Sequence, residues 1–239
     1  MSANKHSKLR LTAKLLPIIA PFIAKADIRY YLNAINVRPH KDGGAIICAT
    51  NGHVLGAIYD PEAICEHEVI LRFDSRMQQA CATGLTNDRH VVMIGDRLAV
   101  VENGDADVYI QAGRPEIEAQ YPRYERVIPK LEDLLPGLPG TFGSPVIALV
   151  QKAAIAAGKV RLRRSRDAVA MTFFSKKDDP GSAVFRLGCA PDFIGVMMSM
   201  RGEDNLPAAP AWVAALPVVD DLASMTKAAA PAKTEEVPA

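Results

Sequence analysis

Hydrophobic and polar positions along this chain fall into one arrangement repeated three times, a helical segment followed by short strands broken by turn residues. Over residues 9–65, Leu15, Leu16, Ile18, Ile19, Phe22 and Ile23 lie near helical spacing. Pro17 suits a first helical turn, whereas Pro21 predicts a short or kinked helix. Strands at 45–49 and 54–59 flank Asn51-Gly52, a pair that tolerates the positive φ of a type I′ hairpin. Over residues 68–129, Val69, Leu71 and Phe73 alternate with charged neighbours as in a half-buried strand. Ser75 predicts the cap of a helix reaching Thr83, with Gly84 at its end. Strands follow at 91–94, 98–101 and 108–111, with turns at Gly95-Asp96 and Asn103-Gly104. In the third stretch, Ser144 and Pro145 open a helix and Gly158 closes it; Val146, Ile147, Leu149, Val150, Ala154 and Ile155 form its apolar face. Strands are predicted at 160–164, 169–174, 183–187 and 193–200, with a turn over 176–181.

Many hairpins and few helices imply an α+β fold of repeated units, each a helix packed on antiparallel strands. Two units fill residues 1–129 as one domain, 130–143 is a linker, and 144–202 is a third unit of half-domain size. Residues 203–239, rich in Ala, Pro and charge, read as a disordered tail. Within it, Trp212, Val213, Leu216 and Leu222 suggest a short docking segment.

Composition narrows the class. With 49% hydrophobic and 23% charged residues, the chain is an ordinary globular one. Its apolar run at 15–24 is shorter than the roughly 18 residues a membrane span needs. That run contains two prolines and leads into Lys25 and Asp27 with no clear cleavage site, so a cytoplasmic protein with no membrane partner is expected. Cys48, Cys65, Cys81 and Cys189 have no paired spacing, and the expectation is small buried hydrophobes, with no metal and no cofactor. The net charge of +1 hides an asymmetry: beyond Arg201, six acids stand against Lys227 and Lys233, leaving a mildly basic body.

Nucleotide-binding, zinc-protease and serine-hydrolase motifs are missing, so no enzyme is expected. His53 and Asp60 would be a base and its orienter only if folding brought them together; a local turn role for His53 is the commoner use. Arg29 beside Tyr30 and Tyr31 suits phosphate contact and base stacking, or aromatic packing on a sheet. Read as a strand, Lys159, Arg161 and Arg163 share one side, a basic ridge or a solvated face. Val196, Met197, Met198 and Met200 read as core, or as the adaptable wall of a peptide site.

Three ordered segments carry a resemblance: Arg29-Tyr30-Tyr31-Leu32-Asn33; Ala49-Thr50-Asn51-Gly52-His53-Val54-Leu55; and Tyr121-Pro122-Arg123-Tyr124-Glu125-Arg126-Val127-Ile128-Pro129. In order and spacing they resemble the middle domain of the bacterial DNA sliding clamp, the beta subunit of the replicative polymerase. The final strand Val196-Met197-Met198-Ser199-Met200-Arg201 is similar to that family's last strand. The resemblance implies a ring of repeated units that encircles DNA and captures polymerase peptides in a groove. It places the groove at Leu32, Thr50, Gly52, His53, Leu55, Pro129, Val196, Met198 and Met200. It places DNA contacts at Arg29, Tyr30 and Tyr31; apart from the resemblance, the basic residues Lys152, Lys159, Arg161 and Arg163 are further DNA-binding candidates. The implied partners are DNA, a polymerase or other clamp-binding protein, and further copies of this chain in a homo-oligomer. The family has three domains of two units; here the first domain and half of the last have no counterpart, Val54 stands where arginine is common, and Ser199 where proline is common. A clamp-like adaptor or decoy that keeps the groove but never closes a ring is the alternative.

Overall fold

The computed structural model describes residues 9–83, 88–103, 106–137, 141–162, 169–177 and 179–200; the tail expectations lie outside them. Strand β1 (Leu9–Thr12) leads into a helical segment that changes pitch twice: a 3-10 turn Ala13–Leu15, helix α1 (Leu16–Ile19), and a 3-10 turn Ala20–Phe22. Pro17 enters near the start of α1, and Pro21 has no N–H to continue its ladder, so the helix tightens where that bond is lost. Leu15, Leu16, Ile18, Ile19 and Phe22 are nonetheless all buried along one face.

Strands β2 (Ile35–Pro39), β3 (Ala45–Thr50) and β4 (Val54–Asp60) follow, then β5 (Ile64–Cys65) and β6 (Val69–Leu71). Helix α2 (Ser75–Ala82) is capped by Asp74, not Ser75: the Asp74 carboxylate accepts from Met77 N at 2.6 Å. Strands β7 (Arg89–Ile94), β8 (Arg97–Glu102) and β9 (Ala106–Ile110) complete the second set. The predicted linker holds a 3-10 turn Leu131–Asp133 and strand β10 (Leu134–Pro136). Helix α3 (Ser144–Leu162), β11 (Met171–Lys176), β12 (Asp179–Leu187) and β13 (Ala190–Met198) form the third.

One element differs in kind from its expectation. Residues 159–162 continue α3 instead of starting a strand. Val150, Ala153, Ala154 and Ala157 are buried and Val160 partly so, a helical period that the alternation of Lys159, Val160 and Arg161 concealed. Gly158 does not stop the helix. A Cβ there would lie 2.8 Å from the Val169 side chain, so the glycine admits the returning chain. The expected 176–181 turn also overlaps strand: β11 runs to Lys176 and β12 already begins at Asp179.

All strand pairings are antiparallel, in a five-stranded sheet ordered β5-β1-β7-β8-β9 and an eight-stranded sheet ordered β10-β11-β12-β13-β4-β3-β2-β6. Each repeat is a strand, a helix and three strands. The first two exchange their leading strands: β1 pairs with β7, and β6 pairs with β2. In the third repeat, β10 pairs with its own β11. The long sheet is continuous because β4 and β13, the last strands of their repeats, pair with Leu55 opposite Val196 and Gly56 opposite Gly195. Rings fill the space over both glycines. A Cβ on Gly56 would lie 2.3 Å from Phe22, and one on Gly195 2.1 Å from Phe185. Phe22, Phe185 and Phe193 pack with centroids 5.7 to 6.1 Å apart and join the repeats beneath this junction.

Candidate functional site

The β4–β13 junction has an outer face as well, and there the chain forms an apolar groove of about 240 Å³. Its floor is Leu55 and Val196, brought side by side by the strand register, with Leu32, Val54 and Tyr124 around them, all buried. Its rim is more open: Met198 is 46% exposed, Val127 likewise 46%, and Pro122, Arg123 and His53 are exposed.

Local bonding fixes the hairpin wall. Asn51 Oδ1 accepts from His53 N at 2.9 Å and Val54 N at 3.0 Å. Thr50 Oγ1 donates to Val54 O at 2.9 Å and accepts from Gly52 N at 3.1 Å. This is not the expected type I′ turn: only Gly52 takes a positive φ, +89°, while Asn51 bridges the turn with its side chain. The last strand is tied to the same turn by Met198 N donating to His53 O at 2.8 Å. Behind it, Thr50 N donates to the Tyr121 hydroxyl at 3.2 Å.

Arg29 forms a side wall. It donates from Nε and Nη2 to the Asp27 carboxylate at 3.0 and 2.8 Å, and its guanidinium lies over Gly52, 3.0 Å from where a Cβ would stand. The Arg29 side-chain hydrogen bonds hold the Asp27 carboxyl down at about 2. Asn33 closes the loop, accepting from Asp27 N at 3.0 Å and donating to Asp27 O at 2.9 Å. Burial pushes the phenols of Tyr121 and Tyr124 up, and the Tyr124 ring carries the Arg38 guanidinium 5.2 Å from its centroid.

Of the groove residues implied by the resemblance, Leu32, Thr50, Gly52, His53, Leu55, Val196 and Met198 line this cavity; Pro129 and Met200 do not. Met200 donates its N–H to Thr141 O at 2.8 Å and rests its sulfur near Gly143. The 3-10 turn Tyr124–Arg126 is what brings Tyr124 and Val127, rather than Pro129, to the slot. Val54, Pro122, Arg123, Tyr124 and Val127 were the residues missed, although four of the five lie inside the quoted aromatic-proline segment.

The DNA candidates do not gather in one place. Arg29 belongs to the groove, Tyr30 is half-exposed, and Tyr31 stacks edge-on between Tyr30 and Tyr121. Lys152 and Lys159 are exposed on α3; Arg161 is paired with Asp192 at 2.9 Å; Arg163 lies outside the described residues. With 159–162 helical, Lys159 and Arg161 do not share one side of a strand. His53 and Asp60 stand at opposite ends of β4, and the Asp60 carboxylate is taken by Thr12 N at 2.8 Å and Thr12 Oγ1 at 3.0 Å. Cys48 and Cys81 are buried with their thiols pushed up by desolvation, Cys81 to about 12. Among the described residues no cluster of metal-ligating side chains occurs and no helix is long and apolar enough to cross a membrane.

A larger depression, about 790 Å³, lies beside β6, but its charges answer one another: Arg38 pairs with Glu68 at 3.0 Å and with Glu125. The smaller groove is the better candidate for a binding site because its apolar floor lies against a rim of a few polar groups.

No protein-family model and no curated protein matches the chain by sequence. Solved structures do match. A DNA polymerase sliding clamp from Pseudomonas aeruginosa, with ligand, aligns with TM-score 0.58 and 15% identity, over 84% of this chain and 68% of that one. A sliding clamp from Bartonella birtlesii bound to griselimycin aligns with TM-score 0.60 and 15% identity, over 84% and 69%. One from Caulobacter crescentus gives TM-score 0.54 and 16% identity, over 84% and 68%. The chain has the fold of the bacterial DNA sliding clamp, laid over about two thirds of that protein's length.

Proposed function

We propose that this chain is a sliding-clamp-type processivity factor for DNA replication, a binding protein without catalysis of its own. It captures an apolar partner peptide in the β4–β13 groove, approaches DNA through exposed lysines on its helices, and associates with further copies of itself. The observation that carries the reading is the groove: two walls distant in sequence meet as an apolar slot on a clamp fold. Leu55 and Val196 supply the floor, Met198 and Val127 adapt to an inserted side chain, and Arg123 and His53 offer polar contacts at the rim. Lys152 and Lys159, seven residues apart on α3, lie on one helical face and suit loose, sequence-independent phosphate contact.

Griselimycin, which the Pseudomonas and Bartonella clamps hold, is a ready probe. Calorimetric titration into this chain is expected to give saturable binding. Duplex DNA anisotropy is expected to weaken with salt, and Lys152→Glu with Lys159→Glu should lower the log–log salt slope by about 2. Absent griselimycin binding by a folded chain would remove the groove reading. Griselimycin binding without DNA binding would make the chain a peptide-capturing adaptor instead.

A further inference from the structure

The apolar slot and the larger depression share an arginine. Arg123 lines both, and Arg126, three residues on, lines the depression alone. The two bracket the 3-10 turn Tyr124–Arg126, and Arg126 N donates to Arg123 O at 3.2 Å. A turn closed by that bond keeps the two Cα atoms within about 7 Å of each other. Both residues are exposed.

Within the depression the pairing is complete for the carboxylates and leaves these two arginines over. Arg38 pairs with Glu68 at 3.0 Å and with Glu125, and Arg114 pairs with Glu116 at 3.8 Å and Glu118 at 3.3 Å. Glu68 takes its hydrogen bonds from Arg38 and Asn36, and Arg123 acts on it only through space. Among the described residues, no hydrogen bond or ion pair occupies the guanidinium of Arg123 or Arg126. The slot repeats the pattern. No acid lines it, and of its two arginines Arg29 is held by Asp27 while Arg123 is left over. An apolar slot bordered by two unanswered arginines is complementary to a peptide with negative charge beside its apolar residue.

We propose that Arg123 and Arg126 select partner peptides in which the apolar residue entering the slot is flanked by two acids, two positions apart. This rests on the reading of the slot as a peptide site and names the chemistry of its ligand. In an extended peptide, residues i and i+2 point to one side and lie about 7 Å apart, which matches the spacing of the two arginines. The acid nearer the anchor meets Arg123 on the rim, and the second meets Arg126 over the depression. Each guanidinium offers a carboxylate paired N–H donors in a fixed fork. Because Arg123 also borders the apolar slot, a peptide satisfies both features at once and a nucleic-acid phosphate only one.

The test is fluorescence anisotropy on the full chain at low salt, with labelled peptides that share a Leu-Val-Leu core. On both sides the core carries Asp-Ser-Asp, Asn-Ser-Asn or Lys-Ser-Lys. The aspartate peptide is expected to bind about three- to tenfold tighter than the amide peptide, and the lysine peptide more weakly than both. The gap should close in about 1 M salt. Arg123→Glu with Arg126→Glu should invert the order, while Lys41→Glu with Arg97→Glu, an equal change of net charge, should leave it in place. Melting temperatures report that each double is folded. Equal affinities for the three peptides in the wild type overturn the proposal, as does a wild-type preference for lysine. So does an aspartate preference that survives the Arg123 and Arg126 reversal, or one lost equally in the control double. Griselimycin binding without binding of the aspartate peptide overturns it too and leaves the slot standing. If the reversal abolishes duplex DNA binding and leaves the peptide order alone, the arginines serve phosphate instead. A wild type that binds neither griselimycin nor any peptide strikes the slot itself, and the proposal with it.

Discussion

Truncating Met198 to alanine separates the groove from its surroundings in one step. The side chain is 46% exposed, so about half of its surface is already out of water and the rest is available to a bound peptide. Fully burying a methionine side chain stabilises by roughly 1.5–3 kcal/mol, so covering the exposed share is worth about 0.7–1.4 kcal/mol. Met198→Ala is therefore expected to weaken griselimycin binding roughly 3- to 10-fold. By the same measure the share already buried makes the cost to folding about 0.8–1.6 kcal/mol, too little to lose the strand, because the backbone bond from Met198 N to His53 O is one that alanine keeps. Met200→Ala is the matched control: Met200 is 57% exposed but lies outside the cavity, and its removal should leave affinity unchanged. Calorimetry on both variants, with thermal melts beside it, reads the difference. Equal losses at Met198 and Met200, or no loss at Met198, would refute the assignment of the slot.

Three further outcomes follow from the same geometry. Gly195→Ala drives a methyl into the Phe185 ring and should cost about 1–3 kcal/mol or more in urea melts, partly recovered by adding Phe185→Leu. Gly52→Ala meets both a positive φ and the Arg29 guanidinium; it should cost about 1–2 kcal/mol from the backbone alone and shift Arg29 resonances in NMR spectra. Asp27 has a folded pKa of about 2 against an ordinary 3.8, so its pairing with Arg29 stabilises the fold above about pH 4 and that contribution is lost as the pH falls through about 2. Melting curves of the wild type and Asp27→Asn should accordingly differ at pH 5 to 6 and converge near pH 2; a constant gap would contradict the pairing.

How much of this was legible in the sequence depends on the range of the forces involved. The three repeats, the hairpin around Gly52 and the core face of the first helix follow from local periodicity and turn chemistry, which act over a few residues. The end of α3 was misread because Lys159, Val160 and Arg161 satisfy a period of two over a short window, while the period that decides runs back through Ala157, Ala154 and Ala153. Asp74 displaced Ser75 as the cap because either residue can serve, and only the start of the ladder distinguishes them. In the site, Leu55 and Val196 were named from the resemblance, but their adjacency is a register between strands about 140 residues apart, which no local pattern encodes. Pro129 was taken for a wall residue in place of Val127, because a 3-10 turn decides which of the two faces the slot. Arg29 was named as a phosphate contact without its pairing to Asp27 two residues earlier, which holds it over the turn and which the resemblance did not give.

The claim on which the account stands is that the hairpin at Gly52 and the strand ending at Met198 form one binding surface. Methyl-resolved NMR during a griselimycin titration tests it most directly. Saturable shifts at the methyls of Leu55, Val127, Val196 and Met198, with Met171 and Met200 unmoved, are the predicted result. Shifts at Met171 or Met200 while Leu55 and Val196 stay still would contradict it.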